Sequence, residues 1–291
     1  MNGAFIKSKL VKLINKAGYD LTKINGNDDS IPLIKKDILN LDKIYFLAES
    51  NQLPFICFVP VAYVRGHVMN FSFTNMSHPF KKAVKKALKK EHRKKHIKKE
   101  LQKFYEEVKP DNAAEVLGLT KEEAPNLAQK EPWVAVHPWE DRTIAEVEKN
   151  RPIQTAKENK KNGLDVGIEE GWHLFGPVSE SKLEVEAERI LELLKKFEST
   201  EYKPYQNKNN ITATILIDKK ADKLKWMIYD GQHRTSILSA LDYDFIPVMV
   251  TKIVSRKNVD FWPGVTAGDF TKEAALKVFD AIINEEQSPS I

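Results

Sequence analysis

One cysteine in 291 residues excludes a disulfide framework, a cysteine-rich zinc site and any chemistry that needs a thiol pair. That cysteine, Cys57, lies in the run Leu53-Pro54-Phe55-Ile56-Cys57-Phe58-Val59-Pro60-Val61, where a lone thiol packs as a small hydrophobe. The same run is the most apolar in the chain, yet it is far shorter than the ~20 residues of a spanning helix and is interrupted by proline. It reads as buried strand. The N-terminus, Met1-Asn2-Gly3-Ala4-Phe5-Ile6-Lys7-Ser8-Lys9, has no apolar export core, so a cytoplasmic protein with no membrane span is expected. A large excess of one charge is also missing, since 46 Lys and Arg face 41 Asp and Glu for a net +5. Between Lys81 and Lys103, however, 12 Lys and Arg face only two acids, Glu91 and Glu100, so the rest of the chain is net acidic. The basic character belongs to one segment, either a solvated lysine face or an anion-binding surface, and no stacking aromatics are interleaved with the lysines.

What is present is a 42% hydrophobic content, enough to build a core in either two modest domains or one domain with a long extension. Periodicity predicts a short amphipathic helix over residues 5–16, a polar turn over 25–30 and β-like runs at 43–47, 55–64 and 68–73. A single long helix is expected from His78-Pro79-Phe80 to Lys109-Pro110, with Phe80, Val84, Leu88, Ile97, Leu101, Phe104, Tyr105 and Val108 near helical spacing. Residues 111–172 read as a connecting region rich in Pro, Trp, Asn and charge. Then Ser179 caps a helix with Leu183, Ala187, Ile190, Leu191, Leu194 and Phe197 on one face. A pair of strands at 211–217 and 224–229, a helix over 233–241, a strand over 245–250 and a final helix over 271–284 complete the chain. The division expected is 1–110, an α/β extension; 111–172, the connection; and 173–291, the core domain. The fold class is α+β.

The chemistry concentrates in Asp230-Gly231-Gln232-His233-Arg234-Thr235, where an apolar strand ends on a carboxylate and a glycine and helical spacing starts at once. A helix N-terminus directly after a strand offers backbone N–H groups and a positive dipole end to an anion, and Gly231 permits the sharp turn. His233 and Arg234 add two donors in the first helical turn, and Thr235 and Ser236 add hydroxyls. Cations at a helix N-terminus cost roughly a few tenths of a kcal/mol each, so their placement asks for an anionic partner such as a phosphate. The plainer alternative is that Asp230 pairs with Arg234 and caps the helix.

Asp230-Gly231-Gln232-His233-Arg234, a helix, and then Phe245-Ile246-Pro247-Val248 resemble the ParB/sulfiredoxin superfamily over roughly residues 174–254. Sulfiredoxins carry their catalytic cysteine between the glycine and the His-Arg pair, where this chain has Gln232, so sulfinic acid reduction is excluded. Chromosome-partitioning members use Gly-Glu-Arg-Arg to bind CTP and continue into a DNA-reading domain, and no such domain is expected here. The turn is most similar to Asp-Gly-His-His-Arg of the free serine kinases. Further elements, His78-Pro79-Phe80, Ala114-Glu115-Val116-Leu117-Gly118, His137-Pro138-Trp139 and Phe175-Gly176-Pro177-Val178-Ser179 among them, resemble ParB-like proteins of bacterial lipopolysaccharide and capsule loci. The resemblance implies phosphotransfer from ATP or ADP, with Mg²⁺, to a hydroxyl of a sugar or polyol. The rival expectations are a nucleic-acid-binding protein, nuclease or CTPase, and a nucleotide-sensing module without catalysis.

For such a reaction Gly231, Gln232, His233, Arg234, Thr235 and Ser236 would cradle the phosphates, and Asp230 would hold Mg²⁺ unless it only caps the helix or fixes Arg234. By the resemblance, the base is a glutamate near the start of the preceding helix, Glu184 first and Glu186 second, although Glu184 and Glu188 also look like an ordinary solvated acidic face. Glu140 and Asp141 point in different directions on regular structure, which argues against a paired role. Trp139, Trp172 and Trp262 read as small-core anchors before ligand platforms. His92 and His96 are four apart, but the neighbouring lysines oppose a metal, so no histidine metal site is expected.

Overall fold

The computed structural model describes residues 21–23, 32–34, 39–49, 53–200, 202 and 210–286. Seven strands form one mixed sheet in the order β1-β2-β3-β7-β5-β6-β4. They are β1 (Leu21–Lys23), β2 (Pro32–Ile34), β3 (Phe55–Pro60), β4 (Val64–Gly66), β5 (Thr212–Asp218), β6 (Lys223–Asp230) and β7 (Phe245–Ser255). With the helices below, this is an α+β fold in which strands from the first 66 residues extend the sheet built by β5, β6 and β7. The expected helix over 5–16 and turn over 25–30 lie outside the described residues.

β5 is buried continuously from Ala213 to Ile217, which requires cover on both faces of the sheet. It forms an antiparallel hairpin with β6, one of the two readings, hairpin or short excursion, that the polar turn at 218–222 allows, and Asp218 Oδ1 accepts from the Lys220 and Ala221 amides to close the turn. Pro247 sits in β7 opposite Phe58 of β3, while β5 pairs with β7 only from Met249 onward. The missing N–H of the proline therefore falls where β7 has no neighbour on the β5 side, the arrangement that lets a sheet tolerate it.

The described residues hold seven longer helices: α1 (Leu41–Glu49), α2 (Pro79–Ala87), α3 (Arg93–Glu107), α4 (Ile144–Lys161), α5 (Glu180–Ser199), α6 (Gln232–Ala240) and α7 (Lys272–Ile283). α2, α3, α5 and α6 pack on one another, and α7 lies against β5 and β6. The Ser179 side chain caps α5 through the Lys182 amide, as the sequence signals, and Thr271 caps α7 through the Ala274 amide.

Four elements differ from expectation. The run at 55–64 is not one strand: β3 ends at Pro60, a 3-10 turn spans Val61–Tyr63, and β4 starts only at Val64. Residues 43–47 are helical: the Asn40 side chain accepts from the Lys43 amide, and Leu41, Ile44 and Leu47 recur on the buried side. Residues 68–73 form a turn instead of a strand, with Val68 at φ 74° and Asn70 at φ 51°, fastened by Arg65 to the Asn70 side chain (2.9 Å) and carbonyl (2.7 Å). The long basic helix is broken between α2 and α3, with His92 at φ 54°. Between Leu88 and Ile97 no apolar residue can anchor a straight helix, and the break lets α2 and α3 pack side by side.

The motif at 175–179 is clamped onto the end of α3. The Gly176 amide donates to the Val108 carbonyl (2.8 Å) and the Tyr105 hydroxyl to the His173 carbonyl (2.9 Å). A Cβ at Gly176 would stand 1.9 Å from the Tyr105 carbonyl oxygen. Gly176→Ala is therefore expected to lower stability by about 1–3 kcal/mol, read as a fall in the urea midpoint. An unchanged midpoint would mean that this segment does not lie against α3.

Candidate functional site

β6 ends on Asp230, Gly231 turns the chain at φ +94°, and α6 starts at Gln232. Only glycine takes that dihedral cheaply, and a Cβ there would also meet Ile211 and the Arg234 guanidinium at 3.0 Å. Thr235 N–H to Gly231 O (2.9 Å) is a first-turn intrahelical bond, so the amides of Gln232 and His233 lie at the mouth of the helix. The strand–turn–helix read from the sequence is in place.

The six side chains of the turn part company. Arg234 reaches back to the exposed Asp230 carboxylate at 3.2 Å. Gln232 is buried, donating to the His67 carbonyl (3.2 Å) and facing His78 (3.3 Å). Thr235 and Ser236 are fully buried, with Ser236 bonded to His78 and the Thr235 hydroxyl lacking a hydrogen-bond partner among the described residues. They support the helix from within and do not open onto its mouth.

His233 is buried with its ring stacked on Phe80 (4.3 Å between centroids), and its Nε2 lies 2.8 Å from Glu186 Oε2. The other oxygen of Glu186 accepts from the Lys182 ammonium at 2.8 Å, and Lys182 also donates to Asn159 (2.5 Å). Burial alone would raise the Glu186 carboxyl, but His233, Lys182 and Arg189 hold it well below the usual carboxylate range. Burial, reinforced by Arg189, pushes His233 down to about 4, so at neutral pH a neutral imidazole donates to a carboxylate. Glu184, two residues away on the other side of α5, is bound at the surface by Lys94 (2.5 Å) and Lys98 (2.8 Å) and is drawn down to about 2. Of the two glutamates named from the sequence, Glu186 is the one brought to the turn.

The opposite flank holds a group that sequence reasoning passed over. Tyr229, the residue before Asp230, meets the His67 ring edge-on at 5.0 Å and lies under Arg142 at 5.2 Å. His67 Nε2 is 2.9 Å from Glu140 Oε1, His137 Nδ1 is 3.2 Å from the same oxygen, and Arg142 holds Oε2. Glu140 is thus a buried, fully engaged side chain, whereas Asp141 points out to Lys252. Three arginines, Arg142, Arg189 and Arg234, retain partial exposure around the turn. Trp139 and Trp262 are core residues packed on Phe279, and Trp172 stacks under Arg151.

No family model, curated protein or solved structure matches this chain. Its function rests on this geometry.

The basic segment is largely spoken for. Lys81 is buried and donates to the Phe73 and Thr74 carbonyls, Lys85 pairs with Asp242, Lys86 with Glu100, Arg93 with Glu198, and Lys94 and Lys98 with acids of α5. The Arg93, Lys94 and Lys98 pairs seat α3 on α5, and all of these contacts leave less charge for a polyanion. Among the described residues no helix is long and apolar enough to cross a membrane.

Proposed function

We propose that this chain is a nucleotide-dependent phosphotransferase that uses ATP or ADP to phosphorylate a hydroxyl of a small molecule, a sugar or polyol. The observation that supports it most is the Glu186–His233 pair, 2.8 Å apart, at the mouth of a strand-to-helix turn that also carries Arg234. Phosphoryl transfer needs fixed positive charge on the phosphates and a base on the attacking hydroxyl. Arg234, Arg189 and the Gln232 and His233 amides supply the first. For the second, Glu186 already accepts from Lys182 and His233, which fixes the histidine tautomer with hydrogen on Nε2 and leaves Nδ1 as the proton acceptor. Glu186 is then a positioning residue and His233 the base. As the acceptor oxygen bonds to phosphorus, the bond to the leaving nucleotide breaks and the hydroxyl proton passes to His233. Asp230 is an exposed hard oxygen donor that would hold Mg²⁺, and the ion would supply positive charge to offset that of the phosphates.

Calorimetry of the purified chain against each nucleoside tri- and diphosphate, followed by turnover with sugars, polyols and amino acids, tests the reading. Arg234→Ala is expected to weaken nucleotide binding at least tenfold, and His233→Gln to abolish turnover while binding persists. Wild-type binding by Arg234→Ala would remove the phosphate turn, and binding without turnover of any acceptor would leave a sensor instead of an enzyme.

A further inference from the structure

We propose that His67, His137 and Glu140 form a binding site for a divalent transition-metal ion of the zinc type, independent of the phosphotransfer reading. His67 comes from a part of the chain distant from His137 and Glu140, yet the ligand-capable atoms of all three lie within 4.8 Å of one another, and all three residues are buried. Tetrahedral zinc with bonds near 2.0–2.2 Å sets its ligands about 3.3 Å apart. His67 Nε2 and His137 Nδ1 stand 2.9 and 3.2 Å from Glu140 Oε1, close to that spacing, and to admit the ion the widest separation in the group, within 4.8 Å, would have to close toward it.

Glu140 Oε1 is the target of three nitrogens, the third being the His137 amide at 3.1 Å. Two imidazoles and a backbone N–H crowd one carboxylate oxygen, and a single dication would join the same ring nitrogens to that oxygen in place of their protons. Two nitrogen donors and one oxygen select a borderline ion over Mg²⁺ or Ca²⁺, which prefer oxygen throughout. Three protein ligands also leave a fourth position open, as in reactive zinc sites.

The ligands are held from behind. The Glu140 amide bonds to the His137 carbonyl (3.0 Å), which turns both side chains to one side, and His137 stacks on the buried Trp139 at 4.9 Å. Arg142 fixes Glu140 Oε2, so Oε1 stays toward the imidazoles. Such outer contacts are how metal ligands are usually oriented. His137 also lines a cavity of about 160 Å³, beside Val68 and Asn70.

The test uses the full chain without a histidine tag, stripped with a chelator and titrated with Co²⁺ and Zn²⁺. The expected result is one equivalent of Co²⁺ with visible ligand-field bands of a four-coordinate ion, displaced by one equivalent of Zn²⁺, and a rise in Tm with metal. His67→Gln and His137→Gln, folded by circular dichroism, should weaken binding at least tenfold, while His92→Gln/His96→Gln should bind as the wild type does. Wild-type protein that shows neither saturable Co²⁺ bands nor a Tm shift overturns the proposal whatever the variants do. So does binding that survives in both His67→Gln and His137→Gln, or that vanishes with the His92/His96 pair.

Discussion

Glu186→Ala is expected to destabilise the chain by about 3–5 kcal/mol, the cost of breaking a buried ion pair from one side. Glu186 and Lys182 are 1% and 3% exposed, and the carboxylate is the ammonium's counter-charge. Without it, among the described residues, Lys182 keeps the Asn159 side-chain oxygen alone, and a cation with one neutral acceptor is left in the interior. His233 loses its acceptor in the same step, so the mouth of α6 loosens as well. Glu186→Gln keeps the volume and one acceptor and should cost less. Lys182→Met combined with Glu186→Leu should cost less than the sum of the two single changes, because no charge is then stranded. Glu184→Ala should change stability little, since its lysine pairs are at the surface and screened by solvent. Urea denaturation followed by circular dichroism reads all four. A loss under about 1 kcal/mol for Glu186→Ala would mean that Lys182 finds water there and that the pair is not sealed.

The contrast between Glu184 and Glu186 shows where the sequence stops being legible. The helix that carries them could be read, because Ser179 caps it and Leu183, Ala187, Ile190 and Leu194 mark its inner face. The turn at Gly231 could be read for the same reason, since a glycine between an apolar strand and helical spacing is a local signal. Which glutamate faces the turn depends on the packing of α5 on α6, and that is a long-range contact. Glu184 and Glu186 each sit one position from an inner-face residue, Leu183 and Ala187, so the helical angle alone does not choose between them, and it is packing that turns Glu184 toward α3. The His67–His137–Glu140 group was out of reach, because 70 residues separate its first two members. Only the three-residue spacing of His137 and Glu140 was visible, and no metal was inferred from it. α4 was hidden by Pro152 within it, although Thr143 and Glu146 form a capping box at its start. At 43–47, aromatic and β-branched residues suggested a strand, and the Asn40 cap together with the buried spacing of Leu41, Ile44 and Leu47 prevailed. Propensity lost to tertiary packing there.

Acid is expected to unfold this chain well before the general titration of its surface carboxylates would. Burial lowers His67 and His233 from 6.5 to about 4 and His78 to about 3, and it holds His173 well below its usual value. Each of these groups is protonated more readily in the unfolded chain. The unfolded state therefore takes up protons as pH drops through 6.5, while the native state resists until about 4. Their contribution to stability is complete above pH 6.5 and drains away between there and about 4. For His67 or His233 alone the shift is worth up to about 3 kcal/mol, and each is coupled to a carboxylate, so the two do not simply add. Glu140 and Glu186 act in the same direction over a lower window: both are held well below 4.5 by their histidine and cationic partners, so their contribution disappears as pH falls beneath that value. Tm should be nearly flat from pH 8.5 to 7 and then fall steadily toward pH 4.5. His233→Gln should start from a lower Tm and fall less steeply across the same range, because one proton-binding site of the unfolded chain is gone. A wild-type Tm that does not move between pH 7 and 5 would mean that these imidazoles are solvated, and the buried pairs on both sides of the Gly231 turn would be lost with them.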